Sequence, residues 1–282
     1  MSPAPTPDAR SSAQLPPILP IEPDQPLRWL VLGFRDLTHN PLLSLAHGLL
    51  LAIAGALITW LAFDRFWLLA GLVSGFMVGS PVLATSLYAM SRAIERGEPV
   101  NVRLLVDTWT RWQIRLQVQP DSYWALVRFG LLLGLATAGW VFTSSAFIWM
   151  MAPLPIDTPM DFLRHVVASR EHHIFEIWLG LGGLMAAPLF ASSVVSMPLL
   201  LDRRVTVLEA VLTSWKAVLA YPVTMALWAF LLMVLTLIGI FSLYLGLILV
   251  VPVLGHASWH AYRELIDNRQ LPPRIDENEG GV

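Results

Sequence analysis

Ala217 to Tyr262 reads AVLAYPVTMALWAFLLMVLTLIGIFSLYLGLILVVPVLGHASWHAY, 46 residues without a formal charge. A membrane-spanning helix needs about 20 apolar residues. At about 1.5 Å of rise per residue this stretch is far too long for one crossing. Two helices fit, and the turn is expected near Gly239-Ile240-Phe241-Ser242. Outward from this stretch, four more charge-poor windows stand at 42–63, 66–91, 129–156 and 177–201. The expected fold is an all-α polytopic membrane bundle of six transmembrane helices in three hairpins.

Composition agrees. Of 282 residues 56% are apolar and 13% charged, and the mean hydropathy is +0.62, whereas soluble domains carry about 25% charge. Acidic and basic side chains nearly cancel at −2, which removes the basic field that nucleic-acid binding requires. The absence of cysteine excludes disulfides, thiolate metal sites and cysteine nucleophiles. Residues 1–26 hold eight of the 21 prolines and are read as a disordered tail rather than a secretory or transit signal, as are residues 267–282. Basic residues set the sidedness. Fifteen fall with the tails and the loops after spans two and four, against Arg65, Arg164 and Arg170 opposite. Both termini are therefore expected in the cytoplasm.

The cytoplasmic connections carry helical apolar stripes. Val102, Leu105, Val106, Trp109, Trp112 and Leu116 oppose Arg103, Asp107, Arg111 and Arg115. That pattern reads as an interfacial helix, with Trp at headgroup depth and Arg towards anionic lipid. Leu208, Val211, Leu212, Trp215, Val218 and Leu219 form a second such stripe, opened by the capping-box pattern Thr206-x-x-Glu209. A third precedes span one through Leu27, Leu30, Val31, Phe34 and Leu37.

These segments expose an internal repeat. Phe34-Arg35-x-Leu37-x-x-x-Pro41 matches Trp215-Lys216-x-Val218-x-x-x-Pro222, and Pro81-Val82-Leu83-Ala84 matches Pro252-Val253-Leu254-Gly255. A weaker middle copy runs through Trp112, Pro120 and Pro188. Three units are expected within a 27–266 membrane domain, at about 27–92, 101–203 and 205–263, each an interfacial helix followed by a hairpin. Pro81, Pro188 and Pro252 fall inside the second helix of each hairpin, where they kink it. Gly71, Ser74, Gly75, Gly79 and Ser80, and Gly180, Gly182 and Gly183, are expected to face inward and let helices approach.

The stretches Gly33-Phe34-Arg35-Asp36-Leu37, Asn40-Pro41, Gly79-Ser80-Pro81, Leu87-Tyr88-x-x-Ser91-Arg92-x-x-Glu95-x-Gly97, Met197-Pro198-Leu199-Leu200-Leu201-Asp202 and Pro252-Val253-Leu254-Gly255-His256-Ala257-Ser258-Trp259-His260-x-Tyr262-Arg263 carry a likeness. They resemble a bacterial, mostly proteobacterial family of predicted integral membrane proteins catalogued as a domain of unknown function. The resemblance covers about residues 27–265. It implies a location in the inner membrane and supplies no catalytic residue. Relatives sometimes carry a cytochrome c oxidase subunit I label, but such a subunit needs more spans and more buried histidines than this chain offers.

Chemistry-bearing residues are few. Ser44, Thr85 and Ser91 show no evident base and carboxylate partner, so no catalytic residue is assigned. His47, His256 and His260 are expected at similar depth, with His256 and His260 at i, i+4. Two readings of them differ in chemistry. One is haem or metal ligation; the other, favoured because no carboxylate is expected at that depth, is hydrogen bonding to serine, tyrosine or a proline-freed carbonyl. The functional reading is a non-catalytic scaffold, assembly or accessory protein with no cofactor, contacting membrane lipids and a membrane-protein partner or a second copy of itself. The alternative is a small-solute or lipid transporter or channel built on the kinked helices. A haem- or metal-binding respiratory accessory protein ranks third.

Overall fold

The computed structural model describes residues 15–62, 66–110, 120–169 and 173–273. Among them the chain is all-helical, with two isolated β-bridges and no strand. In chain order the helices are α1 Gln25–His39, α2 Pro41–Leu61, α3 Phe66–Leu83, α4 Thr85–Arg96, α5 Val102–Thr110 and α6 Pro120–Met151. There follow α7 Pro159–Phe162, continued by a π turn at Leu163–Val167, then α8 Ile174–Ser193, α9 Ser196–Asp202, α10 Val207–Ala220, α11 Pro222–Phe241 and α12 Leu247–Leu265. Arg111, Trp112 and Arg115 lie outside the described residues.

Four stretches are long and apolar enough to cross a membrane: Pro41–Leu61, Trp124–Met151, Ile174–Asp202 and Pro222–Phe241. Their outer faces carry large apolar side chains in the open, among them Trp60, Phe142, Leu184 and Phe241. A face of that kind is stable against lipid rather than water. The remaining two expected spans depart from the single-helix pattern. Window 66–91 is divided at Ala84, where the Leu87 and Tyr88 N–H groups both bond to the Ala84 carbonyl three residues past Pro81. α12 stays continuous through Pro252, but polar and charged residues fill its C-terminal half. The turn before it occupies 242–246 rather than 239–242. Leu243 and Tyr244 take positive φ there, and Tyr244 is held by its hydroxyl on Thr59.

The first hairpin is also looser than its sequence order suggests. α2 packs mainly on α12 and α3 mainly on α6. The glycines account for this: a side chain at Gly48 would strike the Ile248 backbone, and those at Gly71 and Gly75 would strike Ser145 and Val141. Gly71 and Gly75 thus face inward as expected. Gly180 and Gly183 do not, since nothing lies within 4 Å of the side chain either would carry. Only Gly182 of that group meets a neighbour, Trp140.

α1 and α10 each stop at a hinge followed by a proline that opens the next helix. Asn40 has φ −140 and ψ 71, and Tyr221 has φ −133 and ψ 62. The Thr206–Glu209 capping box forms with both of its bonds. Segment 15–24, placed by composition in the N-terminal tail, is paired. Leu19 N–H bonds to Leu265 O, Asp267 N–H to Pro17 O, and Ile18 bridges Ile266. Arg203 bridges Pro273 in the same way, so both expected tails contribute backbone to the folded body.

The core sits at one end of the bundle. Thr85–Ala93 of α4, all of α9 and most of the second half of α12 are buried together around Leu87, Met197, Leu200, Trp259 and Tyr262. These are the segments that follow Pro81, Pro188 and Pro252. Of the three prolines Pro252 is buried, Pro81 half-buried and Pro188 exposed. A smaller apolar cap of Ile148, Ile156, Val166 and Ile174 closes the opposite end.

Candidate functional site

The buried stripe of α1 is Trp29, Gly33, Asp36 and Leu37, which places a carboxylate on the face pressed to α12. The approach is close because residue 33 has no side chain: a Cβ there would lie 2.5 Å from Val253 O and 2.6 Å from Ala257 N. Asp36 therefore meets the i, i+4 pair His256 and His260 of α12. Ser44 arrives from the first turn of α2 and Ser91 from α4.

The four elements are joined by a chain of hydrogen bonds. Ser91 Oγ lies 2.6 Å from Asp36 Oδ2 and 2.7 Å from His256 Nδ1, and His256 Nε2 lies 3.0 Å from Ser44 Oγ. His260 Nε2 reaches the same Asp36 Oδ2 at 2.9 Å. An ionised carboxylate only accepts, so Ser91 and His260 donate to Asp36. Ser91 then accepts from His256 Nδ1–H, and His256 Nε2 accepts from Ser44. Every bond is polarised towards Asp36. Burial alone would push the Asp36 carboxyl up, but the hydrogen bonds from His260 and Ser91 and the electrostatic pull of both imidazoles outweigh it and hold it below its usual range.

This corrects two expectations. A carboxylate does lie among the histidines, and Ser91 has both a base and that carboxylate beside it, while Ser44 has the base alone. His256 bonds to serines as its hydrogen-bonding reading required, whereas His260 bonds to Asp36. His47 goes elsewhere, to Leu83 O at 2.9 Å. That carbonyl lacks its helical partner because the Leu87 N–H is turned to Ala84 O. His39 bonds locally to Arg35 O. The three candidate histidines thus split between two places, and among the described residues no three His, Asp or Glu side chains are arranged to hold a metal.

Three further carboxylates tie the same end of the bundle. Asp202 at the end of α9 accepts from Arg96, Arg203, Tyr262 and Asn268 at 2.8 to 3.1 Å. Glu95 accepts from Trp259 and Arg263, and Glu264 from Gln25 and Trp29. The indoles expected at the interface have half-exposed rings, yet their N–H groups turn inward: Trp109 donates to Ser86 at 2.7 Å and Trp215 to Ser192 at 2.9 Å. In both pairs the serine precedes the tryptophan by 23 positions. Arg103 lies exposed beside Asp107 at 3.7 Å.

Ser44 on an unprotonated His256 nitrogen has the local form of a nucleophile and its base. Asp36, however, reaches the imidazole only through Ser91, and Ser44 and His256 are both 0% exposed. What the arrangement does chemically is join α1, α2, α4 and α12 through satisfied buried bonds.

A family model described as "Predicted integral membrane protein (DUF2189)" matches residues 68–202, from α3 to the end of α9. The Gly-His-Ala-Ser-Trp-His block and the α1 stripe lie outside that match. No curated protein and no solved structure matches the chain. The helices and the family match together make this an integral membrane protein with several membrane-spanning helices.

Proposed function

We propose that the chain is a six-span protein of a bacterial inner membrane with both termini in the cytoplasm, and that it acts as a non-catalytic scaffold or assembly protein. α3 and α12 supply the two spans beyond the four long apolar helices. The repeat of interfacial helix and hairpin is supported by the matching backbone at Asn40 and Tyr221. The matching Trp-to-Ser bonds from α5 and α10 support it too.

The observation that carries the reading is how the polar groups are spent. Ser44, Ser91, Asp36 and His256 are buried and His260 is half-buried at their edge, and the five bond to one another, so their polar groups are spent within the cluster. Beside the turn between α11 and α12, the void between α2, α3 and α11 is about 10 Å³, lined by residues such as Gly55, Phe76 and Tyr244. That holds at most about one water.

Two measurements test this. A reporter active only in the periplasm should be silent when fused after Val282 and active when inserted near Pro159; the reverse overturns the sidedness. Purification in mild detergent should then yield the chain with a membrane-protein partner, or a second copy, at fixed stoichiometry. A lone chain that moves a solute in proteoliposomes would establish transport instead.

A further inference from the structure

An open cleft of about 490 Å³ lies between the segment before α1, the first turn of α1 and the end of α12. Its walls are Leu19, Pro20 and Ile21, and its charged groups are Glu22, Arg28, Arg263 and Glu264. Two of these charges are engaged. Arg263 is held by Glu95, and Glu264 accepts from Gln25 and Trp29. Arg28 and Glu22 are exposed, and neither side chain has a hydrogen-bond or ion-pair partner among the described residues. One cation and one anion therefore face the same cleft uncommitted.

Next to Arg28 on the surface of α1 stands an exposed apolar stripe. Leu27, Val31 and Phe34 fall at i, i+4 and i+7 and are 52%, 69% and 51% exposed. Arg28 sits beside that stripe on the helix surface. A molecule with acyl chains along Leu27 and Val31 would bring a headgroup to Arg28 and Glu22. We propose that this cleft binds an aminophospholipid headgroup, the phosphate on Arg28 and the primary ammonium on Glu22. The pairing favours a zwitterion with N–H donors. A choline headgroup cannot donate to Glu22, and a glycerol headgroup offers Glu22 no charge.

The test is native mass spectrometry of the full chain released from nanodiscs of equal phosphatidylethanolamine, phosphatidylcholine and phosphatidylglycerol. Phosphatidylethanolamine should be retained about tenfold over phosphatidylcholine, the scale of one charge-assisted hydrogen-bond pair. Arg28→Gln should weaken retention of both phosphate-bearing competitors and the amine lipid, whereas Glu22→Gln should weaken the amine lipid alone. Both side chains are exposed, so these variants should fold, and an unchanged unfolding temperature verifies it. Equal retention of the three lipids, or a Glu22→Gln protein with unchanged preference, overturns the proposal. Displacement of the lipid by soluble phosphoethanolamine at equal concentration would also overturn it, by showing that the acyl contacts contribute nothing.

Discussion

His260 Nε2 lies 2.9 Å from Asp36 Oδ2, a contact that joins α1 to the last helix across 224 positions of sequence. The same carboxylate oxygen takes the Ser91 hydroxyl, so one atom gathers α1, α4 and α12. Removing it strands two donors, the buried Ser91 hydroxyl and the half-buried His260 ring. Asp36→Ala should cost about 1–3 kcal/mol, the scale for leaving buried hydrogen-bonding groups unsatisfied. Asp36→Asn keeps one acceptor and should cost less. Thermal unfolding in maltoside detergent measures the order, and an Ala variant as stable as the parent would show that the cluster is incidental to the fold.

The Asp36 carboxyl also sets an acid dependence. Its affinity for protons is lower in the folded chain than in the unfolded one, so the unfolded state binds more protons and stability rises with pH across that window. The contribution is complete above the ordinary carboxylate value and is lost as pH falls through the lower, folded-state value. Tryptophan fluorescence during acid titration should show an acid limb for the parent that flattens in Asp36→Asn. An identical limb in both proteins would assign acid unfolding to other carboxylates.

Residue order made the apolar helices legible but not the partner of each. The proline-opened helices at Pro41 and Pro222 follow directly from φ restriction at a first helical turn. The Thr206 capping box is likewise a local interaction. Asp36 was hidden because α1 has two apolar faces: Leu27, Val31 and Phe34 stand exposed, while Trp29, Gly33 and Leu37 are pressed to α12. A stripe search finds the first face and leaves Asp36 among the polar residues. One signal did exist. In the aligned repeat Asp36 stands opposite Ala217, and a carboxylate where the copy keeps a small apolar residue marks a position with a specific partner. The inward glycines of α3 and the outward ones of α8 cannot be told apart locally, since which neighbour arrives is a tertiary matter.

His256 bridges two serines with one donor and one acceptor. His256→Gln retains both kinds of group, whereas His256→Leu leaves Ser44 without its acceptor and Ser91 with its Asp36 bond alone, and should cost about 1–3 kcal/mol more. Parent protein should show no Soret band and no stoichiometric iron, copper or zinc. A stoichiometric metal lost in the Gln variant would replace the hydrogen-bonding account with ligation.

The two indole bonds allow a test of whether α5 and α10 lie at the membrane surface. Trp109→Phe and Trp215→Phe keep an aromatic ring but delete the N–H to Ser86 and Ser192. Each should cost about 1 kcal/mol, and on separate helices the two should add. Replacing either by Glu puts a charge at the bilayer boundary and should lower the yield of folded protein further, while Arg103→Gln should do little. If Trp→Glu and Trp→Phe behave alike, α5 and α10 do not lie on the membrane.

Glycine replacements separate seams within the chain from faces open to lipid or to another chain. Gly33→Ala drives a methyl into the Val253 carbonyl and the Ala257 backbone, neither of which can rotate away, so α1 must lift from α12. The cost should exceed the gain of about 1 kcal/mol that alanine brings to a helix, and the Asp36–His260 contact should weaken with it. Gly180→Ala and Gly183→Ala meet nothing within 4 Å and should keep that gain. Unfolding temperature and oligomeric mass, measured together in detergent, decide between the two seats. If the α8 variants lose stability or change mass while Gly33→Ala does not, the face at Gly180 and Gly183 is occupied by a second chain and the α1–α12 seam is the looser contact.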